Sequence, residues 1–147
     1  MNILQKIHPV WALRLGLGLM YLYSGSGLFY NPSDWYGFAP QWFTALVTPF
    51  VSIDTYLRMQ GVGEFILGLL FLAWFSGKWG VRVASAIATV ELAAILIFVG
   101  VDLITFRDIG LLGAALALLI ISLKSPPGEQ FVAEHKKVSS ITQNHPD

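Results

Sequence analysis

Four stretches of the chain run apolar for about 20 residues each, the length a helix needs to cross roughly 30 Å of hydrocarbon. They extend from about Pro9 to Tyr30, Tyr56 to Phe75, Gly80 to Val101 and Phe106 to Leu123. Gly and Ser recur inside them, as expected where helices meet in lipid. The period-2 alternation of a membrane barrel is absent. The pattern predicts an all-α fold, an integral membrane four-helix bundle. Between the first two spans lies "NPSDWYGFAPQWFTALVTPFVSID". Asn31-Pro32 and Ser33-Asp34 read as a turn. Trp42, Phe43, Leu46, Val47 and Phe50 then recur at helical spacing over a length too short to span. That reads as a short outer interfacial helix lying apolar face down, or as a loop packed against the mouth of the bundle. After "KSPPGEQ" the chain turns polar. Residues 1–124 therefore read as one four-span domain and 125–147 as a polar cytoplasmic tail, with no internal repeat.

Composition supports this division. Of 147 residues, 55% are hydrophobic and 12% charged, and the mean hydropathy is +0.64. A soluble domain carries about 25% charged residues, so the polar surface falls short of coating a soluble globule. The formal net charge is zero, which gives no reason to expect a nucleic-acid partner. There is no cysteine, which excludes disulfides, thiol redox chemistry and thiolate metal sites in this chain. The first stretch starts like a signal peptide, but Arg14 interrupts it and no A-x-A-like site precedes a soluble domain. It reads as a retained span.

Lysine and arginine placement sets orientation. With the N-terminus inside, the inner side holds Lys6, Lys78, Arg82, Lys124, Lys136 and Lys137, with Arg14 just within the membrane, while the outer side keeps Arg58 and Arg107. Trp11, Trp74 and Trp79 fall at inner ends, and Trp35 and Trp42 at the outer one. Both termini are expected in the cytoplasm, and the chain in the inner (cytoplasmic) membrane.

Candidate chemistry lies in the charges inside the spans. The second and third spans form a hairpin around Gly77-Lys78. Glu64 stands about 14 residues before that turn and Glu91 about 13 after it, and antiparallel helices rise equally per residue. The two acids are expected at one depth. A charge at the bilayer centre costs roughly 2.5 to 3.5 kcal/mol on insertion scales. Either the pair shares a proton, or cations and hydroxyls neutralise it. Arg14, Tyr21, Tyr23, Ser24, Ser26, Arg107 and Asp108 are the candidates. Gly61, Glu64 and Gly68 share one helical face, as do Arg14, Gly18 and Gly25. Gly110, Gly113, Ala114 and Ala117 form a small-residue face beside Asp108. The expected polar cluster is therefore Arg14, Glu64, Glu91, Arg107 and Asp108, with Glu64 walling a small internal cavity open toward the outer side and within reach of Arg107. The alternative is structural: buried acids that bond to neighbours and fix helix register.

No metal site is expected. His8, His135 and His145 all fall outside the spans, which leaves no bis-histidine haem ligation, and two carboxylates without histidine do not make a di-iron site. The G-x-G of "GLGLM" and "GVGEF" lies inside helices, so these are packing glycines rather than a dinucleotide loop.

"LRLGLGLMYLYSGSGLF", "GVGEFILGLLFLAWF" and "TFRDIGLLGAALALLI" together resemble the DoxX-like family of small four-helix membrane proteins. The resemblance spans about residues 10 to 123. It is carried by Arg14 with Gly16 and Gly18, by Ser24 to Gly27, by Glu64 before Gly68, and by Arg107-Asp108. Many members carry a lysine after the Ser-Gly step, where this chain has Gly27-Leu28-Phe29. The resemblance implies a membrane subunit or small-molecule-binding partner of a redox system, not catalytic on its own. It implies a quinone-sized pocket and a soluble oxidoreductase partner, with no covalently held cofactor. Two other readings compete with it. A small proton-coupled transporter would use Glu64 and Glu91, and four short spans would serve it only as a homo-oligomer. A helical membrane scaffold would need no ligand.

Overall fold

The four apolar stretches fold as four long helices in the computed structural model, which describes residues 9–73, 75–102 and 105–124. They are α1 (Pro9–Tyr30), α3 (Ile53–Leu72), α4 (Gly77–Phe98) and α5 (Phe106–Leu123). A 3₁₀ helix (Pro32–Phe38) and the short α2 (Gln41–Val47) bridge α1 to α3. All regular structure among the described residues is helical. Lys6, His8, Trp74, Lys136, Lys137, His135, His145 and the tail at 125–147 lie outside the described residues.

Local chemistry moves some expected boundaries. α3 begins at Ile53 rather than near Tyr56, because the Ser52 hydroxyl accepts from the Thr55 N–H at 3.3 Å and caps the helix. α4 begins at Gly77, whose φ of +59° is open to glycine and strained for other residues. The α4–α5 connection is held by Thr105, whose N–H donates to Asp102 Oδ1 at 2.7 Å and whose hydroxyl donates to the Gly100 carbonyl at 2.7 Å.

Two of the four stretches are long and apolar enough to span on their own. By length and composition, Trp79–Phe98 and Phe106–Leu123 meet that test. α1 and α3 are as long, but Gly, Ser and Tyr dilute α1, and Asp54, Arg58, Gln60 and Glu64 dilute α3.

The long helices form a ring in which α1 touches α3 and α5, and α4 touches α3 and α5. α1 and α3 make the closest contact. A Cβ built on Gly25 would lie 2.6 Å from the Gly61 carbonyl oxygen, and one on Gly68 would lie 3.0 Å from the Gly18 oxygen. Gly18 thus faces Gly68 and Gly25 faces Gly61, in antiparallel register. The two glycine seams read from the sequence meet each other, and backbone packs directly on backbone. The small-residue face expected on α5 packs only in part, with Ala114 half-buried against the core. Gly113 is exposed with open space around it, and α5 buries Ala115 and Leu118 instead.

Packing divides the ring lengthwise. Leu17, Tyr21, Leu67, Phe71, Ala84, Ala88, Ala115 and Leu118 fill the half that contains the α3–α4 turn. The other half, toward the 3₁₀ helix and α2, is hollow. The outer flank is apolar on every long helix: Leu19, Ile66, Val90 and Ile120 are exposed, while Arg14 and Glu64 are buried.

Candidate functional site

The hollow half is a cavity of about 940 Å³. Its floor is polar and its roof aromatic. Glu64 comes from α3 and Glu91 from α4, and the equal depth expected from the hairpin brings both to the same cavity. Glu64 is only 6% exposed. Gln60, one helical turn before Glu64, links the acids: its amide donates to Glu64 Oε1 at 3.2 Å and also interacts with the Glu91 carboxyl. Tyr21, on α1, lies beside Glu91, and Ser24 lies one turn further on, toward Glu64. Among the described residues, three atoms of this floor are buried without a hydrogen-bond partner: Tyr21 Oη, Glu64 Oε2 and Glu91 Oε2.

The roof comes from the segment between α1 and α3. Trp35 lies over α1 where Gly27 has no side chain, with its indole nitrogen 3.1 Å from where a Cβ would stand. Trp42 meets Phe98 of α4 with ring centroids 5.6 Å apart, and Phe43 meets Tyr56 of α3 at 5.0 Å. α2 therefore packs over the cavity mouth. It buries no residue fully, and Trp42, Leu46 and Phe50 keep exposed apolar surface. A side-chain hydrogen bond ties the roof to α3, and beside it Arg58 of α3 donates to the Phe29 carbonyl of α1 at 2.6 Å. Tyr36 donates to Asp54, and this bond holds the Tyr36 phenol above its ordinary pKa.

Arg107 and Asp108 both line the cavity at its rim. Arg107 turns to its neighbour, with Nε 3.9 Å from Asp108 Oδ1 and the side chain 61% exposed. Asp108 is the nearer carboxylate and the guanidinium stays hydrated, so the expected Arg107–Glu64 contact does not form.

Arg14 is the second correction, because it does not belong to this cluster. Its guanidinium donates to the Phe71 carbonyl at 2.7 Å and the Ala73 carbonyl at 2.6 Å, and stacks 4.4 Å from the Trp11 ring centroid. The physical cause is the C-terminus of α3, whose last carbonyls lack helical partners and carry the negative end of the dipole. Of the five residues expected to cluster, four line the cavity and Arg14 caps the opposite end.

Among the flanking hydroxyls, Tyr21 and Ser24 enter the site. Ser26 bonds back to the Leu22 carbonyl at 2.7 Å, and Tyr23 stands at the edge, 83% exposed. Gln60 was missed, although its signal was present: a polar residue one turn from Glu64 on the same face of an apolar helix. No cluster of metal-binding side chains occurs among the described residues.

The arrangement can hold a flat or chain-like apolar body under the aromatic roof, with a polar head at the acids. Comparison with protein-family models, curated proteins and solved structures finds no match to this chain, so the functional reading rests on the geometry of this site.

Proposed function

We propose that the chain is a four-span integral membrane protein of the DoxX-like type that binds a small amphipathic molecule in the cavity beneath α2. The supporting observation is the inverted distribution of polarity: large apolar side chains outside and two carboxylates inside, at the floor of a 940 Å³ hollow. Exposed apolar surface on every flank is the pattern of a lipid-facing wall. Two acids inside it default to a functional site. α1 and α3, too polar for a lone span, would cross because their charges face the ring or its ends. In this reading both termini are cytoplasmic, the membrane is the inner one, and the cavity opens outward. The resemblance adds a role as membrane partner of a soluble oxidoreductase, with a quinone as one ligand of suitable size. A pure scaffold gains nothing from a hollow of this size, since empty space forfeits dispersion contacts.

The test is native mass spectrometry of the protein released from membranes in mild detergent, beside Gly110→Trp. Gly110 lines the cavity, and a Cβ there would meet nothing within 4 Å. The substitution should fill the mouth without disturbing the backbone. A small molecule bound to the parent and lost from the variant, at unchanged melting temperature, is expected. Equal occupancy of both, or no species beyond annular lipid on either, would overturn the binding reading.

A further inference from the structure

We infer that the cavity's occupant is an organic cation: an ammonium or other onium head on an aromatic or aliphatic body. This rests on the reading of the cavity as a binding site and names its ligand class. The charges facing the hollow are unbalanced. Glu64 enters from α3, Glu91 from α4 and Asp108 from α5, against Arg107 alone among the described residues. Arg107 is paired with Asp108 at the rim, which leaves the two floor acids with no ion pair among the described residues. Arg14 and Arg82 lie at the opposite end and are engaged by backbone carbonyls. The neutral donors at the floor are Gln60, Tyr21 and Ser24, and among the described residues Glu64 Oε2 and Glu91 Oε2 still accept no hydrogen bond.

A buried acceptor without a partner is costly, and a buried carboxylate more so. Against two ionised carboxylates, a ligand that brings only another acceptor, such as a carbonyl head, leaves those two oxygens as they are. A cation supplies what both lack. Its charge would sit between the acids in a low-dielectric floor, where attraction is far stronger than in water. The roof favours the same class, because the faces of Trp35, Trp42, Phe43 and Tyr56 are the negative ends of aromatic quadrupoles. The volume of about 940 Å³ suits a drug-sized cation rather than a metal ion or a simple amine.

The experiment uses the full chain in nanodiscs of zwitterionic lipid, titrated calorimetrically with tetraphenylphosphonium and with tetraphenylborate. The two ions match in size and shape and differ in sign. Saturable binding of the cation and none of the anion is expected. Glu64→Gln and Glu91→Gln should each weaken cation binding on the order of tenfold or more, since each removes one attractive charge in a poorly screened site. If Glu64→Gln fails to fold, Glu91→Gln carries the comparison. Equal binding of both ions, or cation binding unchanged in the variants, would mean partition into apolar space and would overturn the inference. A third arm with a short-chain ubiquinone separates the two proposals. Binding of the quinone without the cation overturns the cation class and leaves the binding reading standing. Binding of neither, with no co-purified molecule, removes both.

Discussion

Glu64 shows how one side chain can be buried twice over, inside a helix ring and inside an apolar segment, without an ion-pair partner among the described residues. Its Oε1 accepts from Gln60 and its Oε2 accepts no hydrogen bond among the described residues. Removing one member of a buried ion pair leaves a stranded charge and costs about 3 to 5 kcal/mol. Here there is no such partner to strand. Glu64→Gln should therefore leave the ligand-free protein as stable as the parent or slightly more so, by thermal unfolding in detergent. A loss of several kcal/mol would mean that a cation is paired with Glu64 after all. Glycine at 25 is the opposite case, fixed by space rather than charge. A Cβ there would meet the Gly61 oxygen at 2.6 Å and the Phe65 nitrogen at 2.7 Å, both backbone atoms that cannot step aside. Gly25→Ala should force α1 from α3 and destabilise by about 1 to 3 kcal/mol. Gly63→Ala, on the same helix pair with open space around it, should be neutral or mildly stabilising, because alanine is the better helix former. Equal melting temperatures for the two variants would contradict the backbone-to-backbone contact.

The same device serves both helix pairs. Arg14 near the start of α1 reaches the last carbonyls of α3, stacked beside Trp11. Arg82 near the start of α4 donates to the Ser122 carbonyl of α5 at 2.8 Å and stacks 4.8 Å from the Trp79 ring centroid. Each pair is thus closed at one end by a Trp-x-x-Arg turn that satisfies the C-terminal carbonyls of its neighbour. These carbonyls lie where neither helix nor bulk water completes them, so the arginine fork replaces both. Arg14→Ala should lower stability by about 1.5 to 3 kcal/mol, the range for a hydrogen bond to a charged group, and Arg14→Lys should recover only part, since an ammonium lacks the fork. Neither change should alter cation binding in the cavity, which lies at the other end. A shift in binding as large as that in stability would place Arg14 back in the site.

For the molecule as a whole, polarity is turned inside out, and the proposed topology can be checked directly. The chain has no cysteine, so single cysteines report cleanly. Gly37→Cys, at the exposed mouth, and Lys124→Cys, at the other end of the ring, should react with an impermeant thiol reagent from opposite faces of sealed vesicles. Labelling of both from one face would exclude the three crossings by α3, α4 and α5 that separate the two positions. The existence of the four long helices was legible in the sequence, because an apolar run of fixed length states its own secondary structure, although α3 and α4 each begin and end earlier than the runs suggest. So was the glycine register, because Gly18, Gly25, Gly61 and Gly68 repeat at the spacing of one helical face. The meeting of Glu64 and Glu91 at one cavity followed from their positions about a turn, since rise per residue is constant. The partners of the charges did not follow. Arg14 could reach either an acid or a carbonyl, and a one-dimensional pattern carries no direction for a long side chain. The tertiary structure decided it, by presenting the unsatisfied end of α3 within reach. The cavity too belongs to tertiary structure. Its volume is the space left when glycine seams draw α1 onto α3 at one place and aromatic rings hold α2, α3 and α4 apart at another, and no segment of the chain encodes that difference alone.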